Sequence, residues 1–221
     1  REFALLSTLS HPGIVRIFNQ GFSGDTAYIA MEYFENGDLR SRLKTALPPL
    51  YVISVVEQTA SALGAIHRLG IVHRDLKPEN LMVRANGDVV LADFGIAKLS
   101  GASDVTTLTV MGELLGSPSY MSPELISGGP VTSRSDYYAL GVMLYEMATG
   151  ARPYTGLTLM EVLAQHARAP TSWLREPLRI LQPVLERLMA KKPADRYADA
   201  DELLADLQAV KIRFQADGGG A

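Results

Sequence analysis

The segment His73-Arg74-Asp75-Leu76-Lys77-Pro78-Glu79-Asn80, followed at a distance by Asp93-Phe94-Gly95, decides the reading of this 221-residue chain. The spacing Asp75-x-Lys77-x-x-Asn80 puts a base, a cation and an oxygen donor for a metal within one short loop. A second carboxylate, Asp93, follows the apolar run Val89-Val90-Leu91-Ala92. This set suits phosphoryl transfer from a nucleoside triphosphate, where catalysis is mostly positioning and charge neutralisation. A lone Asp in a polar loop is more often a turn former. The joint presence of Lys77, Asn80 and Asp93 displaces that plainer reading.

The pattern closely resembles the catalytic and metal-binding loops of eukaryotic-type protein kinases, in the wording of the bacterial Hanks-type Ser/Thr enzymes. Three more segments carry the likeness. Ser122-Pro123-Glu124 stands where the family has Ala-Pro-Glu, and Asp136-Tyr137-Tyr138-Ala139-Leu140-Gly141 resembles the start of its central buried helix. Arg196, in Lys192-Pro193-Ala194-Asp195-Arg196-Tyr197, stands where the family has an Arg paired with that Glu124. The likeness runs from about Arg1 to Ala209. It implies an α+β, protein-kinase-like two-lobed fold, mostly the helical C-lobe with a partial N-lobe. Residues 1–34 would form the partial N-lobe, 35–214 the C-lobe and 215–221 a flexible tail.

The resemblance also implies roles. Asp75 would be the catalytic base, Lys77 the cation that neutralises the transferring phosphate, and Asn80 with Asp93 the hard oxygen ligands for Mg²⁺. The adenine of ATP would lie against Met31-Glu32-Tyr33-Phe34, with Met31 as gatekeeper and the backbones of Glu32 and Phe34 meeting the adenine edge. Met82 would floor that pocket, and Asp38 would reach the ribose. On the residues alone these are an ordinary strand and a helix start. His73 is expected to be a packed structural imidazole, stacked with Leu6, Ile17 and Phe94 and anchored by Asp136. His11, His67 and His166 show no metal-ligand spacing and are read as structural or surface residues.

Between Asp93 and Glu124 the likeness implies a switch loop. Arg74 would bind a phosphate placed there, and Thr107 and Thr109 match positions that related kinases phosphorylate. Met111 and Glu113 replace two further Thr of that pattern, so Glu113 is expected to offer Arg74 a fixed charge in part substitution for a phosphate. Ser117 stands for the family's Thr in the substrate-docking loop and favours Ser/Thr as acceptor. The Ser at Ser122 in place of Ala is read as harmless. The implied partners are proteins bearing Ser or Thr, with autophosphorylation in trans.

Composition narrows the alternatives. Twenty-one basic against 24 acidic residues leave a formal charge of −3 with no basic block, which gives no sign of a nucleic-acid or anionic-membrane partner. Cysteine is absent, excluding disulfides and thiolate metal sites and fitting a cytoplasmic domain. No stretch approaches about 20 uninterrupted apolar residues. Tyr137 to Thr149, the most apolar helical segment, is too short to span a membrane and holds Glu146, so it reads as a buried helix.

The local pattern predicts a helix end over Arg1–Leu9, strands at Ile14–Phe18 and Thr26–Tyr33, and a short helix capped by Asp38. A long helix is expected from Tyr51 to Leu69, stopped by Gly70. Leu81–Val83 and Val89–Leu91 flank Asn86-Gly87 as a hairpin. Ile96–Tyr120 reads as a long loop, and helices follow at Asp136–Thr149, Leu159–Ala167, Leu178–Ala190 and Ala200–Val210.

Within these 221 residues there is no Gly-x-Gly-x-x-Gly and no Val-Ala-Ile-Lys strand. Glu2 sits where the family carries the Glu that pairs with that lysine. The chain is therefore read as a fragment that begins inside this helix, from an active kinase, and as inactive by itself. Two other readings compete. A genuine short form would act as a pseudokinase-like binding module, although a scaffold has no chemical need for all four of Asp75, Lys77, Asn80 and Asp93. Small-molecule phosphotransferases share the Asp-x-x-x-x-Asn spacing but lack the Ser122-Pro123-Glu124 and Arg196 pair.

Overall fold

A computed structural model of the chain describes residues 9–23, 26–93 and 118–217. The expectations for Glu2, Leu6, Phe94, Thr107, Thr109, Glu113 and Ser117 lie outside the described residues.

Two long buried helices form the centre. Helix α1 (Pro49–His67) opens with Pro49 at its first turn, where a missing N–H costs nothing, and buries residues on every side, from Val52 and Ile53 to Leu63 and Ile66. It stops before Gly70, whose φ of 75° is the left-handed conformation that a glycine adopts freely. By length and composition alone, α1 is long and apolar enough to cross a membrane. It is more apolar than Tyr137–Thr149, which the sequence reading places first. Its packing against the other helices marks it as the fold's core helix.

After the short α2 (Pro123–Ile126), helix α3 (Ser133–Thr149) starts with a reciprocal cap between Thr132 and Ser135. Like α1 it is buried almost all round. It ends at Gly150, with φ of 75°, where a Cβ would come within 2.8 Å of the Ala46 backbone nitrogen. Only glycine fits that close crossing.

Around this pair sit α4 (Leu159–Arg168), α5 (Gln182–Leu188) and α6 (Ala200–Ala216), α4 against α2, α5 against α3, and α6 against α1. Leu178–Ala190, expected as one helix, is instead a 3-10 turn at Leu178–Leu181 followed by α5. Pro183 fits the first turn of a new helix, and Gln182 turns its side-chain oxygen to the Leu174 amide at 2.8 Å. Helix α6 runs to Ala216, beyond the expected Val210.

Strands β1 (Ile17–Ser23) and β2 (Thr26–Met31) form one antiparallel pair with a register shift between Ile17 and Asn19. The first strand was expected at Ile14–Phe18. Ile14 instead makes one parallel bridge to Leu91, and pairing with β2 draws the turn-like Gly21-Phe22 into the ladder. Phe18, Phe22, Met31 and Tyr33 remain exposed. Strands β3 (Leu81–Val83) and β4 (Val89–Leu91) form the hairpin at the expected residues, with Gly87 at φ of 90°. Strand β4 rests on α1, so the hairpin holds both of its ends, Asn80 and Ala92, against the helical core.

Candidate active site

The segment 73–80 is held in a shape that the backbone alone would avoid. Arg74 has φ of 65°, a left-handed conformation that a non-glycine residue leaves unless its surroundings enforce it. Asp136 enforces it. In the first turn of α3, where the helix dipole favours an anion, its carboxylate accepts the His73 amide at 2.9 Å and the Arg74 amide at 3.0 Å. The same carboxylate takes Nε2 of His67, at the end of α1, at 2.7 Å. Both central helices therefore meet on the carboxylate that shapes the loop. His67, read from the sequence as structural or surface, is part of that anchor.

The His73 ring completes the turn. Its Nε2 lies 3.1 Å from the Ala92 carbonyl and so carries the proton, leaving Nδ1 to face the Asp75 amide at 3.4 Å. Complete burial lowers its pKa, despite the opposing pull of Asp136 and the Ala92 carbonyl, and keeps the ring neutral. The expected structural role fits this placement; the Leu6 and Phe94 parts of the expected stack lie outside the described residues.

Asp75 is half-buried and its Oδ2 is 3.0 Å from the Lys77 ammonium. Asn80 donates its amide Nδ2 to the Asp75 carbonyl at 2.7 Å, and its own carbonyl accepts the Ala92 amide at 2.9 Å. The first bond orients the side-chain amide and the second, to the backbone carbonyl, fixes the main chain, so that Asn80 Oδ1 is the side-chain oxygen that could hold a cation. Asp93 follows Ala92 directly, exposed and with φ of 54°, the second non-glycine left-handed residue among those described. Asp75, Lys77, Asn80 and Asp93 are thus gathered at the end of one hairpin.

On the other side of the loop lies a charge cluster that the sequence did not reveal. Arg40 donates to Glu79 Oε1 at 2.8 Å and to Glu146 Oε1 at 2.7 Å, and also to the Tyr120 hydroxyl. Tyr120 in turn donates to Glu146, and Arg152 lies 3.5 Å from Glu146. Burial, then the Glu146 carboxylate, push the Tyr120 phenol up, so it stays protonated and a donor. These partners lie 39 to 106 positions apart from Arg40, beyond the reach of any local spacing rule.

Below it, Arg196 and Glu124 form the expected pair, Nη1 to Oε1 at 2.7 Å and Nη2 to Oε2 at 2.8 Å, with Ser135 Oγ donating to the same carboxylate at 2.6 Å. Burial raises the Glu124 pKa, but hydrogen bonds from Arg196 and Ser135 outweigh it and hold the carboxyl below its usual range. The Ser122 hydroxyl, read as harmless, is buried without a hydrogen-bond partner among the described residues.

The segment expected to meet adenine, 31–34, leads to Gly37 and Asp38, which lie along the edge of β3. Asp38 bridges to Met82, and the Val83 amide donates to the Gly37 carbonyl at 2.9 Å. The Glu32 amide is already bonded to the Arg16 carbonyl at 2.9 Å. Met31 is exposed, whereas the Phe34 side chain is buried. Asp38 Oδ1 accepts the Ser41 amide at 2.9 Å as a cap, as expected, which leaves one carboxylate oxygen toward any ribose.

Among the described residues no group of three or more His, Asp or Glu side chains stands ready to enclose a metal. One amide oxygen and one carboxylate suit a hard cation such as Mg²⁺ that takes its other ligands from phosphate and water, rather than a metal caged by protein.

Comparison with known proteins agrees with this geometry. The chain is 36% identical over 215 residues to the serine/threonine-protein kinase PknL of Mycobacterium tuberculosis, which covers 95% of this chain and 53% of that protein. It is 37% identical to PrkC of Bacillus subtilis, over 98% of this chain and 34% of that protein. It is also 38% identical to PknB of Mycobacterium leprae, over 94% and 35%. The chain thus spans about half the length, or less, of these curated relatives. The profile of the protein kinase domain matches residues 1–207. With that match over nearly the whole chain, it belongs to the protein kinase domain family.

Proposed function

We propose that these residues are the catalytic part of a serine/threonine protein kinase that moves the γ-phosphate of ATP to Ser or Thr hydroxyls of proteins. The observation that carries the reading is the loop from His73 to Asn80, bent through a left-handed Arg74 and pinned by Asp136. Strain of this kind, about 1–3 kcal/mol, persists only where the surroundings over-determine it, and it collects at functional sites.

Asp75 orients the acceptor hydroxyl and takes its proton as the new O–P bond forms and the bond to the β-phosphate oxygen breaks. Lys77, 3.0 Å from Asp75, places its ammonium where negative charge gathers on the phosphoryl oxygens. Asn80 and Asp93 would hold Mg²⁺, which supplies neutralisation of the phosphate charge. Glu32 and Phe34 receive the adenine edge through their backbones, Met82 packs beneath it, and Asp38 meets the ribose. Arg74 is exposed while its backbone is fixed, which suits it to bind a phosphate on Thr107 or Thr109.

The test is the identity of the acceptor. Full-length protein supplied with ATP, Mg²⁺ and a mixture of protein and small-molecule acceptors should yield phosphoserine and phosphothreonine. Phosphate appearing only on choline or an aminoglycoside would overturn the proposal.

A further inference from the structure

Arg84, just past the end of β3, has no part in the reading above, yet it ties three segments together. Its Nε and Nη2 reach the two carboxylate oxygens of Glu32 at 3.0 and 3.1 Å, and its Nη1 donates to the Pro12 carbonyl at 2.7 Å. Its backbone takes part as well. The Arg84 carbonyl accepts Nδ2 of Asn36 at 3.1 Å, and its amide donates to the Asp88 carbonyl at 2.9 Å. One residue thus grips the segment 31–38 at two points, Glu32 and Asn36. It also fixes that segment to the loop His11–Gly13 and to the hairpin whose Met82 lies alongside.

The contact to Glu32 is a two-pronged fork, the geometry that gives an arginine–carboxylate pair direction as well as attraction. Hydrogen bonding to Arg84 is also the main reason the Glu32 carboxyl sits below its usual range. Both side chains are partly buried, so screening is incomplete. Backbone bonds from the Glu32 amide to Arg16 and from the Val83 amide to Gly37 tie the segment elsewhere. Its side chains Tyr33, Glu35 and Asn36 are exposed, however, and the Arg84 fork is the side-chain tie at Glu32.

We propose that Arg84 is a positioning residue for nucleotide binding: by clamping Glu32 and Asn36 it holds the backbone of 32–34 in the shape that accepts adenine. This rests on the assignment of adenine to that segment. Without the clamp the segment samples more conformations, and binding must restrict them at a cost in affinity.

The test uses full-length protein, with equilibrium ADP binding and steady-state kinetics measured on Arg84→Met, Arg84→Lys and Glu32→Gln. Met keeps the aliphatic stem and removes every donor. Arg84→Met should weaken ADP binding and raise the ATP KM by about three- to tenfold, a change set by losing partly exposed charged hydrogen bonds. The KM for the protein substrate should not change. Arg84→Lys, which keeps a single charged contact, should recover part of the loss. Glu32→Gln should weaken binding less than Arg84→Met, and adding it to Arg84→Met should cost little more. A purely structural role would lower the unfolding temperature and leave the ADP affinity alone, and that result would overturn the proposal. A separate readout guards the underlying assignment. If the amide resonances of Glu32 and Phe34 do not respond to ADP in the unsubstituted protein, the adenine assignment itself fails. If they respond while Arg84→Met binds ADP normally, only the role of Arg84 fails.

Discussion

One carboxylate, Asp136, holds three donors: two backbone amides of the strained loop and the His67 ring. Removing it strands those groups in a buried site, where an unsatisfied polar group costs about 1–3 kcal/mol. Asp136→Ala is expected to destabilise the protein by about 3 kcal/mol in urea unfolding and to depress turnover, because its carboxylate holds the amides on either side of the turn at Arg74, where φ is 65°. His67→Ala removes a single donor and leaves both amide bonds. Its cost should be about 1 kcal/mol, with most activity retained. Equal effects of the two substitutions would show that the carboxylate is not the anchor. At this scale the sequence was informative where residues act within one loop: Asp75, Lys77 and Asn80 meet as their spacing implied. It was silent where partners are remote. Arg40, Glu146 and Tyr120 show no relation in the sequence until the fold brings them together, and His67 gave no sign that it faces Asp136.

At the scale of elements, the Arg196–Glu124 pair locks the start of α2 to the segment before α6, and the arginine is only 2% exposed. A buried pair of this kind is costly to break from one side, because the survivor keeps its charge in a place without water. Arg196→Met should therefore cost about 3–5 kcal/mol, measured by chemical denaturation, whereas Arg196→Met combined with Glu124→Leu should cost clearly less. A double variant as unstable as the single one would contradict this. The elements were legible in proportion to how locally they are determined. The hairpin at Asn86-Gly87 matched residue for residue because its turn demands a positive φ that few sequences supply. The helix expected over Leu178–Ala190 split because Gln182 gives its side chain to Leu174, a tertiary bond that periodicity cannot announce. The first strand moved from Ile14–Phe18 to Ile17–Ser23 because pairing with β2, rather than composition, set its limits.

For the molecule as a whole, two buried histidines link stability to pH. Burial, then the nearby Lys191 ammonium, push His166 down to about 4 from 6.5, and burial also lowers His73. A histidine with a lowered folded pKa binds its proton better when unfolded, so stability is complete above about pH 6.5 and falls as the solution is acidified. For His166 the loss runs from 6.5 to about 4 and amounts to on the order of 3 kcal/mol. His166 is packed against Tyr138 and Tyr154, so His166→Asn will lower stability at neutral pH. It should still flatten the slope between about pH 6.5 and 5, a window in which lowered carboxyls such as Glu124 are not yet titrating; an unchanged slope would exclude His166 as its source. The central claim concerns the chemistry that this scaffold supports. Single-turnover phosphate transfer by full-length protein with ATP and Mg²⁺, compared with Asp75→Asn at matched ADP affinity, tests it most directly. The substitution should slow transfer by about 10²- to 10⁴-fold with nucleotide binding intact; an undiminished rate would contradict the assignment of Asp75 as the base.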